Sequence, residues 1–127
     1  MRVGLGYDSH RFAAGRKLVL GGVEIAHPLG LAGHSDADAV AHALIDAMLG
    51  AAGLGDIGAM FPDSDPRWQG ADSLELLQRA SRAVVAAGHR LVQADITVIA
   101  EQPKIGPHVT RMRERLAGAL RTTPRRR

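Results

Sequence analysis

Apolar and polar positions follow a helical period through residues 34–55, the longest structured stretch that the sequence predicts. Apolar residues recur there three and four positions apart, which is typical of a helix that buries one face. They are Val40, Ala43, Leu44, Ala47, Met48 and Ala51. Asp38, His42 and Asp46 follow one another at intervals of four, so they share a second, ionisable face. The pattern predicts a helix packed on a sheet, with a polar face beside the buried one.

The start of this helix favours anions. Asp36 precedes the apolar run and is the predicted N-cap, since its carboxylate can accept a free backbone N–H. His34 lies just before it, at the end of the helix where the dipole is positive. We therefore expect His34 to meet a negatively charged group.

Two other stretches alternate with a period of two and predict half-buried strands, residues 1–7 and 91–100. Their apolar members are Val3, Leu5 and Tyr7 in the first and Ile96, Val98 and Ala100 in the second. Residues 18–25 predict a hairpin, because Gly21 and Gly22 can take the positive φ of a tight turn. Further helices are predicted after Asp72, as an N-cap, and from about Pro107.

Composition limits the class of protein. A chain of 127 residues with 46% hydrophobic and 23% charged residues predicts one globular domain. No apolar run reaches the length of a membrane span and no signal peptide is evident, so we expect no membrane association and a cytoplasmic location. Because the chain has no cysteine, any metal must be held by histidine and carboxylate.

The net charge of +3 is due to the C-terminus. The last seven residues, RTTPRRR, hold four of the 16 basic residues, which leaves 12 against 13 acidic residues. The rest of the chain is nearly neutral, and aromatic residues are only 3% of the total. We therefore expect no nucleic-acid partner.

One constellation has the residue types of a metal site. In an extended segment Asp8 and His10 share a face, and His42 would add a second imidazole from the helix. Two imidazoles and a carboxylate suit zinc or a similar divalent ion with an open fourth position. Asp46, one turn from His42, is the predicted partner that orients its ring. The structural alternative is a turn-forming Asp8 and incidental histidines.

The motifs themselves resemble a known family. They are MRVGLGYDSHRF, LVLGGVEI, HSDADAVAHALIDAMLGAAGLGDIG with its continuation FPDSDP, and ADITVIAEQPKI. In this order they resemble the 2-C-methyl-D-erythritol 2,4-cyclodiphosphate synthases of the non-mevalonate isoprenoid pathway. The resemblance extends to about Leu120 and implies a single domain over residues 1–120, followed by a basic tail at 121–127. It implies an α+β fold, a two-layer α/β sandwich with a mixed sheet and helices on one face, assembled as a homotrimer with active sites between subunits.

The resemblance also implies roles for particular residues. Asp8, His10 and His42 would bind a zinc-like ion, and a second ion such as magnesium or manganese is expected in the complete family site. His34 would act in catalysis and, with Ser35, contact the diphosphate. Further substrate-binding residues are implied in three groups: Asp8, Ser9 and His10; Asp56, Ile57, Gly58, Phe61, Pro62, Asp63, Ser64 and Asp65 for methylerythritol; and Ala100, Glu101, Gln102, Pro103, Lys104, Ile105 and Gly106 for cytidine. Lys104 would lie near the phosphates, and Gly106 replaces a larger apolar residue of the family.

The implied reaction is the cyclisation of 4-diphosphocytidyl-2-C-methyl-D-erythritol 2-phosphate with release of CMP, catalysed by a phosphorus–oxygen lyase. Family members continue after the last helix into a final strand with a Thr-Thr-Thr-Glu segment, with which Thr122 and Thr123 are not equated. Because that strand is missing here, we expect metal binding to outlast activity in this chain. Two alternatives remain: a metal-dependent phosphohydrolase, which would give a linear product, and a catalytically silent subunit, which would retain zinc without turnover.

Overall fold

A computed structural model describes residues 1–120 as four short strands and four α-helices. The strands are β1 (Phe12–Ala14), β2 (Leu18–Leu20), β3 (Val23–Ile25) and β4 (Leu29–Leu31). The helices are α1 (Ala39–Ala51), α2 (Ile57–Met60), α3 (Ser73–Ala86) and α4 (Val109–Leu120), with 3-10 turns at Pro66–Trp68 and Gly106–His108. The predicted basic tail, with Thr122 and Thr123, lies outside the described residues. None of the helices described in residues 1–120 combines the length and the apolar composition of a membrane span.

The hairpin predicted at residues 18–25 is confirmed. Strands β2 and β3 pair antiparallel, with Leu20 opposite Val23. Gly21 and Gly22 between them have φ angles of +58° and +74°, the left-handed values that a tight two-residue turn requires. Alternate side chains of the hairpin enter the core: Leu18, Leu20, Val23 and Ile25.

The fold belongs to the predicted α+β class, but its sheets are smaller than expected. Strands β1 and β4 form a second antiparallel pair, with Ala13 opposite Gly30. Within residues 1–120 the strands therefore make two separate two-stranded sheets. The single mixed sheet of the prediction is not formed in this part of the chain, because neither residues 1–7 nor residues 91–100 pair as strands.

Helix α1 lies at the centre of the core and confirms the main helix prediction. Its buried side chains are Val40, Ala41, Leu44, Ile45, Met48 and Leu49. They pack with those of α3, which are Leu76, Leu77, Ala80 and Val84. The alanines of the predicted stripe are only half-buried, and their part of α1 lies against the N-terminal segment: Ala43, Ala47 and Ala51.

That N-terminal segment, residues 1–7, shows its apolar side chains to solvent, and the prediction of a half-buried strand is wrong. Val3, Leu5 and Tyr7 are 88%, 92% and 82% exposed. A Cβ atom added at Gly4 would lie 1.9 Å from the Ala47 carbonyl oxygen, and one at Gly6 would lie 1.8 Å from that of Ala43. Only glycine permits so close an approach to α1, so the glycine face of the segment lies against the helix and the apolar face points outward.

Residues 91–100 also lack strand structure, contrary to the prediction. Val98 packs against the core, whereas Ile99 is 94% exposed. Of the predicted inward-facing residues only Val98 is partly buried, since Ile96 and Ala100 are exposed. A strand additionally needs a neighbour for its backbone groups, and residues 1–120 supply none here.

The N-cap of α1 is Asp38, and the prediction of Asp36 is wrong. The fully buried Asp38 carboxylate accepts hydrogen bonds from the backbone N–H groups of Ala41, Gly21 and Gly22, at 3.1, 2.8 and 2.7 Å. Burial raises the pKa of Asp38, and the three hydrogen bonds oppose that shift. One side chain therefore joins the hairpin turn to the first turn of α1.

The starts of the two later helices agree with their predictions. Asp72 caps α3, since its side chain accepts the Leu74 N–H at 2.9 Å. Pro107 lies in the 3-10 turn that leads into α4. The side chains that α4 buries are Met112, Leu116 and Ala117.

Candidate metal centre and substrate site

Three residues from distant parts of the chain converge on one point. Asp8 and His10 lie before β1, and His42 lies in the first turns of α1. The Asp8 Oδ2 atom is 2.7 Å from His10 Nε2 and 3.4 Å from His42 Nδ1. One possible ligand atom from each residue lies within 4.8 Å of the other two. Within residues 1–120 this is the one group of three such ligands.

The hydrogen bonds of His10 fit a cation at this point. Its Nδ1 atom lies 2.7 Å from the Ala32 carbonyl oxygen, which can only accept, so Nδ1 carries the hydrogen. In the neutral ring the Nε2 lone pair is then directed at the Asp8 carboxylate, another acceptor. A divalent ion would satisfy both groups, and two imidazoles with one carboxylate form a suitable zinc ligand set.

The other nitrogen of His42 is held by serine hydroxyls. His42 Nε2 lies 2.7 Å from Ser73 Oγ and 3.1 Å from Ser35 Oγ. The predicted partner, Asp46, is engaged elsewhere, because its Oδ1 atom accepts the Ile57 N–H at 2.7 Å. The prediction that Asp46 orients His42 is therefore wrong. The side chain that contacts the ring most closely comes from α3, and no sequence spacing links it to His42.

The charge of Asp8 is stabilised by its neighbours. Burial by itself raises the pKa of Asp8, but the neighbouring imidazoles of His42 and His10 outweigh it. The pKa of Asp8 therefore lies below its usual range. The ionised carboxylate is the form that binds a metal.

His34 lies on a loop that is fixed at several points. The Gly70 N–H donates to the His34 carbonyl oxygen at 2.8 Å. The Arg16 guanidinium donates to the carbonyl oxygens of Gly33 and Ser35, at 3.0 and 2.7 Å. Sequence reasoning did not identify Arg16, whose role depends on a contact between distant segments.

The two predicted diphosphate contacts differ in exposure. The His34 ring is half-buried, and its Nε2 lies 3.4 Å from the Asp65 carbonyl oxygen. Ser35 is buried, and its hydroxyl accepts the Ala37 N–H at 3.2 Å besides contacting His42. The Ser35 side chain is thus adjacent to the metal triad, which consists of Asp8, His10 and His42.

The acidic stretch at residues 56–65 is a series of capped turns. Asp56 caps α2 by accepting the Ala59 N–H at 2.8 Å. Asp65 caps the next turn, and its hydrogen bonds with Arg67 hold the pKa of Asp65 below its usual range. Phe61 is buried, whereas the other predicted substrate contacts here are mostly exposed or half-exposed: Ile57, Gly58, Pro62, Asp63 and Ser64.

The predicted cytidine-binding stretch, residues 100–106, lies on the surface. Its exposed members are Ala100, Glu101, Gln102, Lys104 and Gly106, while Pro103 and Ile105 are half-buried. Among the described residues no hydrogen bond or ion pair joins it to the triad. Ser9, between the two N-terminal triad members, is exposed.

Comparison with known proteins assigns the family. Residues 1–126 match the YgbB family model. The chain belongs to the YgbB family. This match extends beyond Leu120 into the basic tail, so it covers more of the chain than the family resemblance implied.

Similar YgbB-family proteins carry the name that the motifs suggested. The 2-C-methyl-D-erythritol 2,4-cyclodiphosphate synthase of Symbiobacterium thermophilum is 60% identical over 99% of this chain and 80% of its own length. The synthase of Synechocystis is 55% identical over 98% of this chain and 77% of its own length.

Solved structures agree with this assignment. A 2C-methyl-D-erythritol-2,4-cyclodiphosphate synthase in a bound form with CDP superimposes with a TM-score of 0.89 and 47% identity. The match covers 97% of this chain and 82% of the chain in that structure. The bifunctional IspDF of Campylobacter jejuni gives a TM-score of 0.92 at 43% identity, over 97% of this chain and 33% of its own.

Proposed function

We propose that this chain converts 4-diphosphocytidyl-2-C-methyl-D-erythritol 2-phosphate to 2-C-methyl-D-erythritol 2,4-cyclodiphosphate with release of CMP. The names of its YgbB-family relatives support this reaction. The structural observation that carries the proposal is the convergence of Asp8, His10 and His42. Ser35, the residue after His34, contacts His42 at 3.1 Å. A metal-ligand set beside a helix N-terminus suits a substrate with several phosphate groups.

The reaction needs alignment and charge neutralisation more than a protein nucleophile. An oxygen of the 2-phosphate attacks the β-phosphorus, and the bond between that phosphorus and the oxygen of CMP breaks. One phosphorus–oxygen bond forms as another is lost, and the electron pair leaves with CMP. Phosphoryl transfer of this kind depends on fixed donors around the equatorial oxygens.

Asp8, His10 and His42 would hold zinc, which their nitrogen and oxygen donors suit. The ion, when bound, supplies Lewis-acid polarisation of the diphosphate oxygens. His34 donates a hydrogen bond to the developing charge, and the backbone contacts of its loop keep it in place. Magnesium or manganese as a second ion remains a prediction, because residues 1–120 contain no second group of three such ligands.

We assign the rest of the substrate to two surface stretches. The turns of residues 56–65 would contact methylerythritol, and residues 100–106 would contact cytidine, with the Lys104 ammonium near the phosphates. The bound CDP of a solved relative supports a nucleotide ligand. The surface position of both stretches leaves their backbone groups accessible to such a ligand.

We also propose a homotrimer. The exposed apolar side chains of residues 1–7 support an assembly that covers them, since apolar patches of this kind mark interfaces. Light scattering of the purified protein checks the mass, and a monomer at micromolar concentration would contradict this part of the proposal.

The reaction is tested by incubating purified protein with the diphosphocytidyl substrate and zinc, followed by phosphorus NMR. Cyclic diphosphate and CMP in equal amounts are expected. CMP with a linear diphosphate product would favour the phosphohydrolase alternative, and retained zinc without CMP would favour a silent subunit. His89→Ala serves as a control histidine variant that changes no proposed site residue.

A further inference from the structure

We infer that Asp36 and Ser73 are positioning residues that fix the tautomer of His42, so that Nδ1 is the nitrogen free to bind metal. The inference rests on the proposed function, because it concerns the same metal site. It assigns a role to two side chains that neither the sequence motifs nor the names of the relatives identify. Its basis is the direction of the hydrogen bonds that link the Asp36 carboxylate to the His42 imidazole through the Ser73 hydroxyl.

The direction of these bonds is set by Asp36. Its Oδ2 atom accepts the Ser73 N–H at 2.9 Å, and its Oδ1 accepts the Asp38 N–H at 3.1 Å. Both oxygens are therefore acceptors. The Ser73 hydroxyl also contacts Oδ1, so its single hydrogen points at the carboxylate.

The Ser73 oxygen can then only accept from the imidazole. It lies 2.7 Å from His42 Nε2, which must carry a hydrogen for this contact to be favourable. Ser35 Oγ, at 3.1 Å, is a second acceptor for the same N–H. The lone pair of the neutral ring is consequently on Nδ1, 3.4 Å from Asp8 Oδ2.

His10 has the opposite tautomer. The Ala32 carbonyl oxygen accepts the hydrogen of Nδ1, which leaves Nε2 free to bind metal. The two imidazoles of the triad would thus bind through different nitrogens. Each choice is determined by the acceptor on the far side of the ring, as is usual for metal-bound histidines.

The two segments that carry Asp36 and Ser73 are also held together by backbone hydrogen bonds. The Asp36 N–H donates to the Ala71 carbonyl oxygen at 3.0 Å, and the Gly70 N–H donates to that of His34. These backbone bonds bring the start of α3 beside the start of α1. Ser73 is completely buried, so water does not compete for its hydroxyl.

Proton–nitrogen correlation NMR of the unmodified, zinc-loaded protein tests the inference directly. We expect His42 with a protonated Nε2 and a metal-shifted Nδ1, and His10 with the reverse. Zinc bound through His42 Nε2 would overturn the inference and leave the proposed reaction intact. The expected tautomers in a protein that makes no cyclic product would instead overturn the proposed reaction alone.

Variants at position 73 provide a second test. Ser73→Ala should lower zinc affinity about 10-fold to 100-fold, the usual effect of losing a partner behind a ligand. Ser73→Thr keeps the hydroxyl and should retain most of the zinc affinity. Ser81→Ala on the same helix should leave the zinc affinity unchanged. Equal zinc affinity in the folded Ser73→Ala and unmodified proteins would contradict the inference; the NMR experiment does not depend on either variant folding.

Discussion

The surroundings of the metal triad and the proposed cytidine-binding stretch differ in how many of their contacts residues 1–120 provide. His10 and His42 each have a partner at 2.7 Å on the ring nitrogen that faces away from Asp8. Residues 100–106 are mostly exposed and have no regular structure until the turn that begins at Gly106. The two imidazoles are therefore already oriented by contacts within the protein, whereas residues 100–106 are mostly open to solvent.

This difference indicates which functions can be separated. A change at the triad should affect metal binding and the chemical step, and a change in residues 100–106 should affect substrate affinity alone. Variants at His42, His34 and Lys104 test that separation, while variants at Asp38 and Arg67 test contacts outside both regions.

The largest effect is expected for His42→Ala. Losing one of three ligands should lower zinc affinity about 1,000-fold, or about 4 kcal/mol. Competition with a chromogenic chelator measures it. Lys104→Ala, in the exposed stretch, should bind zinc as the unmodified chain does; a similar loss in both variants would show that the two regions are not separate.

Asp38→Ala should have the next largest effect, on stability. It leaves three backbone N–H groups without their acceptor and removes the cap of α1, which together cost about 3 kcal/mol. Urea unfolding followed by circular dichroism gives the free energy. The control is Asp63→Ala at an exposed turn, expected within about 0.5 kcal/mol of the unmodified chain. Equal stability of the two variants would refute the link between hairpin and helix.

His34→Ala should lower kcat about 100-fold while zinc content is unchanged, because it removes one preoriented donor to the reacting phosphate. Lys104→Ala should mainly raise KM for the cytidine substrate. Steady-state kinetics with metal analysis separates the two effects. Loss of zinc from the His34 variant would instead make this residue a ligand.

The smallest effect concerns the exposed pair of Asp65 and Arg67. Arg67→Gln should raise the pKa of Asp65 toward its usual range, which carbon NMR of the carboxyl measures, and Arg82→Gln should not. Because the folded pKa is lowered, the pair stabilises the fold above the pKa of the unfolded carboxyl. That contribution disappears as pH falls through the lowered folded value. An Asp65 pKa that is the same in Arg67→Gln as in the unmodified chain would contradict the assignment.

The sequence predicted those features that depend on neighbouring residues. The turn at Gly21 and Gly22 follows from their freedom to adopt positive φ, and α1 follows from the spacing of its apolar side chains. The outward face of residues 1–7 was not predictable from their alternation, since it results from the close approach of Gly4 and Gly6 to α1.

For the candidate site, too, local sequence patterns were informative only up to the point where distant segments meet. The residue types of the triad indicated a metal site, because histidine and carboxylate were the ligands left in a chain without cysteine. The partner of His42 was predicted as Asp46 from helical spacing, yet Ser73 from another helix takes that place. Which of several polar groups contacts a ring depends on the packing of α1 against α3, on which local spacing carries no information.

The central claim is that Asp8, His10 and His42 together bind one divalent ion. X-ray absorption at the zinc edge of the protein loaded with one equivalent of zinc tests it most directly. We expect two imidazole nitrogens at about 2.0 Å and at least one further oxygen ligand. The His42→Ala variant, if it still takes up zinc, should show one imidazole fewer. A zinc ion with no histidine ligand, or a spectrum unchanged by His42→Ala, would contradict the account.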